Sequence, residues 1–200
     1  MSKRALVVIG LVAAALILPV GCAVSTYNEL VGLDQKVEAQ WAQVENVYQR
    51  RLDLVPNLVE TVKGAAAFEK ETFTAVTEAR TRAAQATTPG RAPDDPAALQ
   101  KFQQAQEQLS GALSRLLVVV ERYPDLKATQ NFRDLQAQLE GTENRVAVER
   151  MRFNEAAREF NSKRNTFPTV ILASFFGARF KEKGYFRAEA GAEKAPKVQF

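Results

Sequence analysis

From Tyr27 to Phe167 apolar residues recur at spacings of three and four, the period of an α-helix. Leu30, Leu33, Val37, Trp41, Val44, Tyr48 and Leu52 form one stripe. Leu58, Val62, Ala66, Phe73 and Val76 form a second. Leu99, Phe102, Leu109, Leu113, Leu116, Val119 and Val120 make a third, and Phe132, Leu135, Leu139, Val146, Phe153, Ala157 and Phe160 a fourth. No stretch alternates with period two. Gln, Ala, Glu and Arg, all good helix formers, fill the other positions.

Prolines divide the run. Pro56 lacks an N–H and crowds the turn before it, which disfavours a regular helix through residues 52–55. It suits the first turn of a new helix, with Asp53 near the cap. The alternative is one kinked helix running through both segments. A tight turn is preferred because it yields segments of similar length, 27–53, 56–86, 95–122 and 128–166. Residues 87–96 read as a loop, with Asp94 or Asp95 capping the third helix, and Tyr123-Pro124-Asp125 ends that helix. The expected fold is all-α: an antiparallel up-down four-helix bundle with long, coiled-coil-like stripes, preceded by an N-terminal membrane helix.

That membrane helix rests on a different pattern. Lys3 and Arg4 are followed by an uncharged run over residues 5–28, and the first acid is Glu29. A helix needs roughly 20 apolar residues to cross a bilayer, and this run is just long enough. The two basic residues favour a cytoplasmic N-terminus and an extracytoplasmic body. Three readings remain: an uncleaved single-pass anchor, which is preferred, a secretory signal, and a lipoprotein signal ending at Cys22. Gly21 suits lipidation of Cys22, but Pro19 stands where a leucine is usual. A single cysteine forms no internal disulfide.

The expected organisation is an anchor or lipoprotein signal over 1–26, a helical body over 27–167, an apolar and basic segment over 168–187, and a disordered tail over 188–200. In an up-down path the 168–187 segment sits at the membrane-proximal end. It either caps the open end of the core, the preferred reading, or places Phe175, Phe176, Arg179, Phe180, Lys181 and Lys183 at the membrane interface.

Charge sharpens this picture. From Lys163 onward there are eight basic residues against three acidic ones, while the rest of the body is slightly acidic. A basic end on a near-neutral body suits anionic lipid head groups and does not describe a nucleic-acid binder. Histidine is absent, which removes His-based acid–base chemistry, Ser-His nucleophiles and most zinc sites. No Gly-rich phosphate loop is present. A hydrolase would need a nucleophile and a base, and the plentiful Glu and Lys are set in no such motif, so no cofactor, metal or catalytic residue is expected and the protein is read as a non-enzyme.

The run Tyr27-Asn28, Trp41, then Gln49-Arg50-Arg51-Leu52-Asp53-Leu54-Val55-Pro56-Asn57-Leu58-Val59 and Val62-Lys63-Gly64 resembles the LemA family. Ala79-Arg80, Tyr123-Pro124-Asp125-Leu126-Lys127-Ala128, Thr142-Glu143-Asn144-Arg145, Arg150, Asn154, Asn161 and Phe167-Pro168 extend the match. Phe68 departs from the histidine usual at that position, as Phe153 and Phe160 do from tyrosine. The resemblance implies an envelope protein with a membrane segment and an antiparallel helical core, and no established enzymatic activity.

The signature's polar residues have a structural and a functional reading. Structurally, Asp53 and Asn57 cap helix ends at the Pro56 turn, Arg51 pairs with a carboxylate, and Asn154 and Asn161, seven apart on one face, fix helix register. Functionally, the turns near residues 53–57 and 123–127 share the membrane-distal tip. There Arg50, Arg51, Asp53, Asn57, Tyr123, Asp125 and Lys127 would form a partner-binding surface. The expected role is a membrane-tethered cell-envelope scaffold or adaptor on the periplasmic side, with lipid and an envelope protein as partners. A ligand-sensing bundle with an apolar molecule in its core is the alternative.

Overall fold

The computed structural model describes residues 3–65, 69–87, 90, 92–93, 95–177 and 179–187. The described residues contain helices and no strand: α1 (Lys3–Ala65), α2 (Lys70–Gln85), α3 (Pro96–Val120), α4 (Pro124–Lys127), α5 (Gln130–Asn165) and α6 (Thr169–Phe175). Ala66 of the second stripe, Thr88, Pro89, Arg91 and Asp94 of the expected loop, and the expected tail over 188–200 lie outside the described residues.

The turn expected at Pro56 is not there. α1 continues through Pro56 to Ala65, so the reversal comes about ten residues later than the sequence suggests. Proline in a helix removes the bond that its N–H would make to the carbonyl four residues back, here Leu52. Arg80 of α2 supplies the missing donor: its Nε lies 2.9 Å from the Leu52 carbonyl oxygen. An orphaned buried carbonyl would cost roughly 1–3 kcal/mol. With that acceptor satisfied from a neighbouring helix, the chain has no reason to turn.

Other boundaries follow local chemistry. Asp95 caps α3, its carboxylate accepting from Ala97 N at 2.9 Å, and Pro96 occupies the first turn. The Thr129 hydroxyl caps α5, and Lys163 and Arg164 complement that helix's C-terminal dipole.

α5 runs antiparallel along α1. Lys36 pairs with Glu159, Lys163 with Glu29 at 2.6 Å, and Arg51 with Glu143 at 3.2 Å, so the partners' numbers fall on one helix as they rise on the other. α2 returns alongside α1. Backbone N–H groups of Gly90 and Ala92 in the connection donate to Glu45 and Glu38 of α1. α3 then travels outward again, Phe102 packing on Trp41 and Tyr48.

Two buried clusters line this body. The distal one joins Leu52, Leu58 and Val62 of α1 to Val76, Leu109, Leu116 and Phe132. The proximal one joins Leu30, Val37 and Trp41 to Leu99, Phe153, Phe160, Phe180 and Phe186. Each fully buried large side chain contributes about 1.5–3 kcal/mol. α2 packs only in the distal half. In the proximal half the extended residues 181–187 take up the space beside α1, α3 and α5.

Candidate functional site

Helical spacing places Tyr48 and Arg51 of α1 against Gln103, Gln106 and Ser110 of α3 and Glu143 and Arg150 of α5. They line a partly open polar cleft of about 70 Å³ between the three helices. The Arg51 side chain is 2% exposed. Its guanidinium donates to Ser110 Oγ at 2.5 Å and to the Gln106 carbonyl at 3.2 Å, and pairs with half-exposed Glu143. The buried Gln106 side-chain amide has no hydrogen-bond partner among the described residues. Burial pushes the Tyr48 hydroxyl up to about 12, against the opposing pull of Arg150 and Arg51.

A second polar constellation holds the extended segment 181–187. Asn161 accepts from Lys183 N at 2.8 Å and donates to Lys183 O at 2.9 Å. Asn154 does the same for Phe186 N and O at 2.8 and 2.9 Å. Gln103 does so for Arg187 at 3.1 and 3.0 Å. Each side-chain amide thus acts as the edge of a neighbouring strand would. Lys183 is buried and its Nζ lies 2.7 Å from Asp34 and 3.9 Å from Glu38. Phe186 closes the Trp41, Phe102 and Phe153 aromatic cluster, with Arg150 over its ring. Gly184 crosses α3 so closely that an added Cβ would lie 3.1 Å from Pro96 Cα.

These contacts correct three expectations. Asn154 and Asn161 do not set helix register; they clamp the chain's own extended segment. Phe180 and Lys183 are buried and cannot meet a membrane. Asp53 and Asn57 cap nothing, since both stand within α1, where Asp53 accepts from Gln49 at 2.8 Å.

The expected distal surface is also divided. Arg51 is interior. Arg50, Asp53 and Asn57 are exposed on α1, but Asn57 lies about two helical turns before its end. Tyr123, Asp125 and Lys127 do lie at the far end, where Arg122 pairs with Glu69 at 2.7 Å and Lys127 with Glu121 at 2.6 Å. At the opposite end Phe175, Phe176, Arg179 and Lys181 remain exposed, and Cys22 is an exposed free thiol on α1.

Sequence reasoning missed Gln103, Gln106 and Ser110. The signal was present: Gln103 and Gln106 interrupt the buried stripe of Leu99, Phe102 and Leu109 with amides.

The model of the LemA family matches residues 40–200, most of this body. The chain belongs to the LemA family. Similar proteins include magnetosome protein MamQ 2 and MamQ 1 of Paramagnetospirillum magneticum (strain ATCC 700264 / AMB-1). Each is 27% identical over 185 residues, covering 84% of this chain and 66% of the relative. MamQ of Magnetospirillum gryphiswaldense (strain DSM 6361 / JCM 21280 / NBRC 15271 / MSR-1) is 26% identical over the same span. This LemA-family chain therefore spans just under two thirds of the length of the curated relatives it matches. Its signature residues have structural partners here: Arg51 with Ser110 and Glu143, Arg80 with Leu52, and Asn154 and Asn161 with the extended segment.

Proposed function

We propose that this LemA-family chain is a membrane-tethered scaffold that presents an antiparallel helical body outside the cytoplasm and acts through protein contacts, without catalysis. The observation that carries this reading is the continuity of α1. Its N-terminal part is apolar and long enough to cross a membrane, and Leu11, Leu16, Ile17, Leu18 and Val20 are exposed rather than packed. The same helix then runs without a break into the buried core at Leu30. At about 1.5 Å per residue its 63 residues extend roughly 95 Å. A stiff rod of that kind sets the height of a body above a bilayer.

The polar groups described above serve the fold, which supports a contact role over a chemical one. The ligand-sensing alternative draws little from the cleft beside Arg51. At about 70 Å³ and lined by charged residues, it is far below the roughly 300 Å³ of small-molecule pockets.

In-cell crosslinking of the full-length protein with mass spectrometry tests the proposal. A defined envelope protein crosslinked near Lys127 or Arg50 supports the scaffold. Self-crosslinks alone, at every exposed lysine, would overturn it.

A further inference from the structure

The residues around α6 expose an apolar surface that nothing in the described helical body covers. Phe167, Ile171 and Phe175 are 76%, 61% and 82% exposed, and they follow one another at spacings of four. Four-residue spacing places Ile171 and Phe175 on one helical face. The opposite side of α6 is anchored: Thr169 and Ala173 are buried. Burial of Thr169 and Ala173 seats this short helix on the body with its other face outward.

Its height along α1 identifies what covers it. An apolar depression of about 340 Å³ is lined by Ala23, Val24 and Tyr27 of α1 together with Leu172, Phe175 and Phe176. Tyr27 also meets Phe176 edge-on at 5.2 Å. Residues 5–24 of α1 make about 30 Å of helix, the thickness of a bilayer's hydrocarbon core. α6 therefore lies level with the end of the membrane segment, where aromatic side chains settle. Exposed Arg179 and Lys181 flank it, and the Arg179 guanidinium stands 5.8 Å from the centre of the Tyr27 ring. Apolar wedge and cationic rim together match a leaflet with anionic head groups.

We infer that α6 is a second membrane contact: Phe167, Ile171 and Phe175 enter the outer leaflet beside α1, and Arg179 and Lys181 face its phosphates. This rests on the reading that α1 crosses the membrane. Two attachment points fix the tilt of the body, which a single helix leaves free.

The test uses full-length protein with Cys22→Ser in vesicles of phosphatidylethanolamine and phosphatidylglycerol. Nitroxide labels are placed singly at Ile171→Cys, Phe175→Cys, Leu11→Cys and Gln43→Cys. Collision with oxygen and with a water-soluble nickel chelate is measured at each. The inference predicts nickel accessibility at 171 and 175 about fivefold or more below that at 43, approaching the value at 11. Labels at 171 and 175 as nickel-accessible as 43, with 11 protected, would overturn the inference and leave the anchor intact. Nickel access at 11 as well would overturn both.

Discussion

Arg80 Nε donates a 2.9 Å hydrogen bond to the carbonyl oxygen of Leu52, the acceptor that Pro56 leaves vacant. One side chain from α2 thereby turns a helix-breaking residue into a tolerated one. Beyond Pro56, buried Leu58 and Val62 hold the rest of α1 in the core.

Continuity of α1 through Pro56 is measurable as a distance. Spin labels at Asn46→Cys and Lys63→Cys, in a Cys22→Ser background, straddle Pro56 on exposed positions. An unbroken helix places them about 26 Å apart. A tight turn at Pro56 would bring them to roughly 10 Å, the spacing of packed helices. Arg80→Ala should broaden the distance distribution and lower stability by about 1–3 kcal/mol. Pulsed dipolar spectroscopy reads the first effect and urea unfolding the second.

Arg51 and Glu143 should differ in cost. Arg51→Ala removes a buried guanidinium together with its bonds to Ser110 and the Gln106 carbonyl. A loss of about 3 kcal/mol is expected. Arg51→Lys should recover little of it, because a lysine cannot reproduce the planar fork. Glu143 is half-exposed, but its removal leaves the buried Arg51 guanidinium without this carboxylate. Glu143→Ala should therefore cost about 1–3 kcal/mol, less than Arg51→Ala because the bonds to Ser110 and the Gln106 carbonyl remain. Equal losses for the two alanine variants, measured by urea unfolding, would contradict this ranking.

The extended segment should detach without unfolding the body. Asn154→Ala with Asn161→Ala deletes both reciprocal amide pairs on α5. Hydrogen exchange at Lys183 and Phe186 should accelerate at least tenfold, matching roughly 1.5 kcal/mol of lost protection. Amides of α2 and distal α3 should keep theirs. Gly184→Val should act in the same direction, since even the Cβ would lie 3.1 Å from Pro96 Cα and 3.3 Å from Leu99 Cδ2, before the two methyl groups are added.

Tyr48 links stability to alkaline pH. Its hydroxyl is raised from 10.0 to about 12, mainly by burial, so the folded protein holds this proton more tightly than the unfolded chain. The associated stability is complete below pH 10 and is lost as pH rises toward 12. At pH 11 the loss is on the order of 1 kcal/mol. Between roughly pH 9 and pH 11, Tyr48→Phe should lose less stability than the natural protein. Identical losses in denaturant titrations at those pH values would refute the assignment.

How far the sequence reveals this structure depends on where each element finds its partners. The limits of α3 and α5 are legible, because Asp95-Pro96 and Thr129 carry their own stop and start chemistry. Pro56 misleads because its compensation comes from Arg80, on another helix. The shared face of Asn154 and Asn161 is legible but their role is not. Residues 181–187 have no periodicity, and they are held by side-chain amides rather than by a ladder a pattern would show. Lys183 reads as a surface charge until Asp34 and Glu38 of α1 enclose it.

In the proposed topology α1 holds the body outside the cytoplasm. A membrane-impermeant maleimide applied to intact spheroplasts tests this, with Asn46→Cys as the single cysteine in a Cys22→Ser background. Asn46 is exposed on α1, well beyond the apolar run. Labelling complete before lysis is the predicted result. Labelling that appears only after the membrane is opened would place the body in the cytoplasm and contradict the proposed topology.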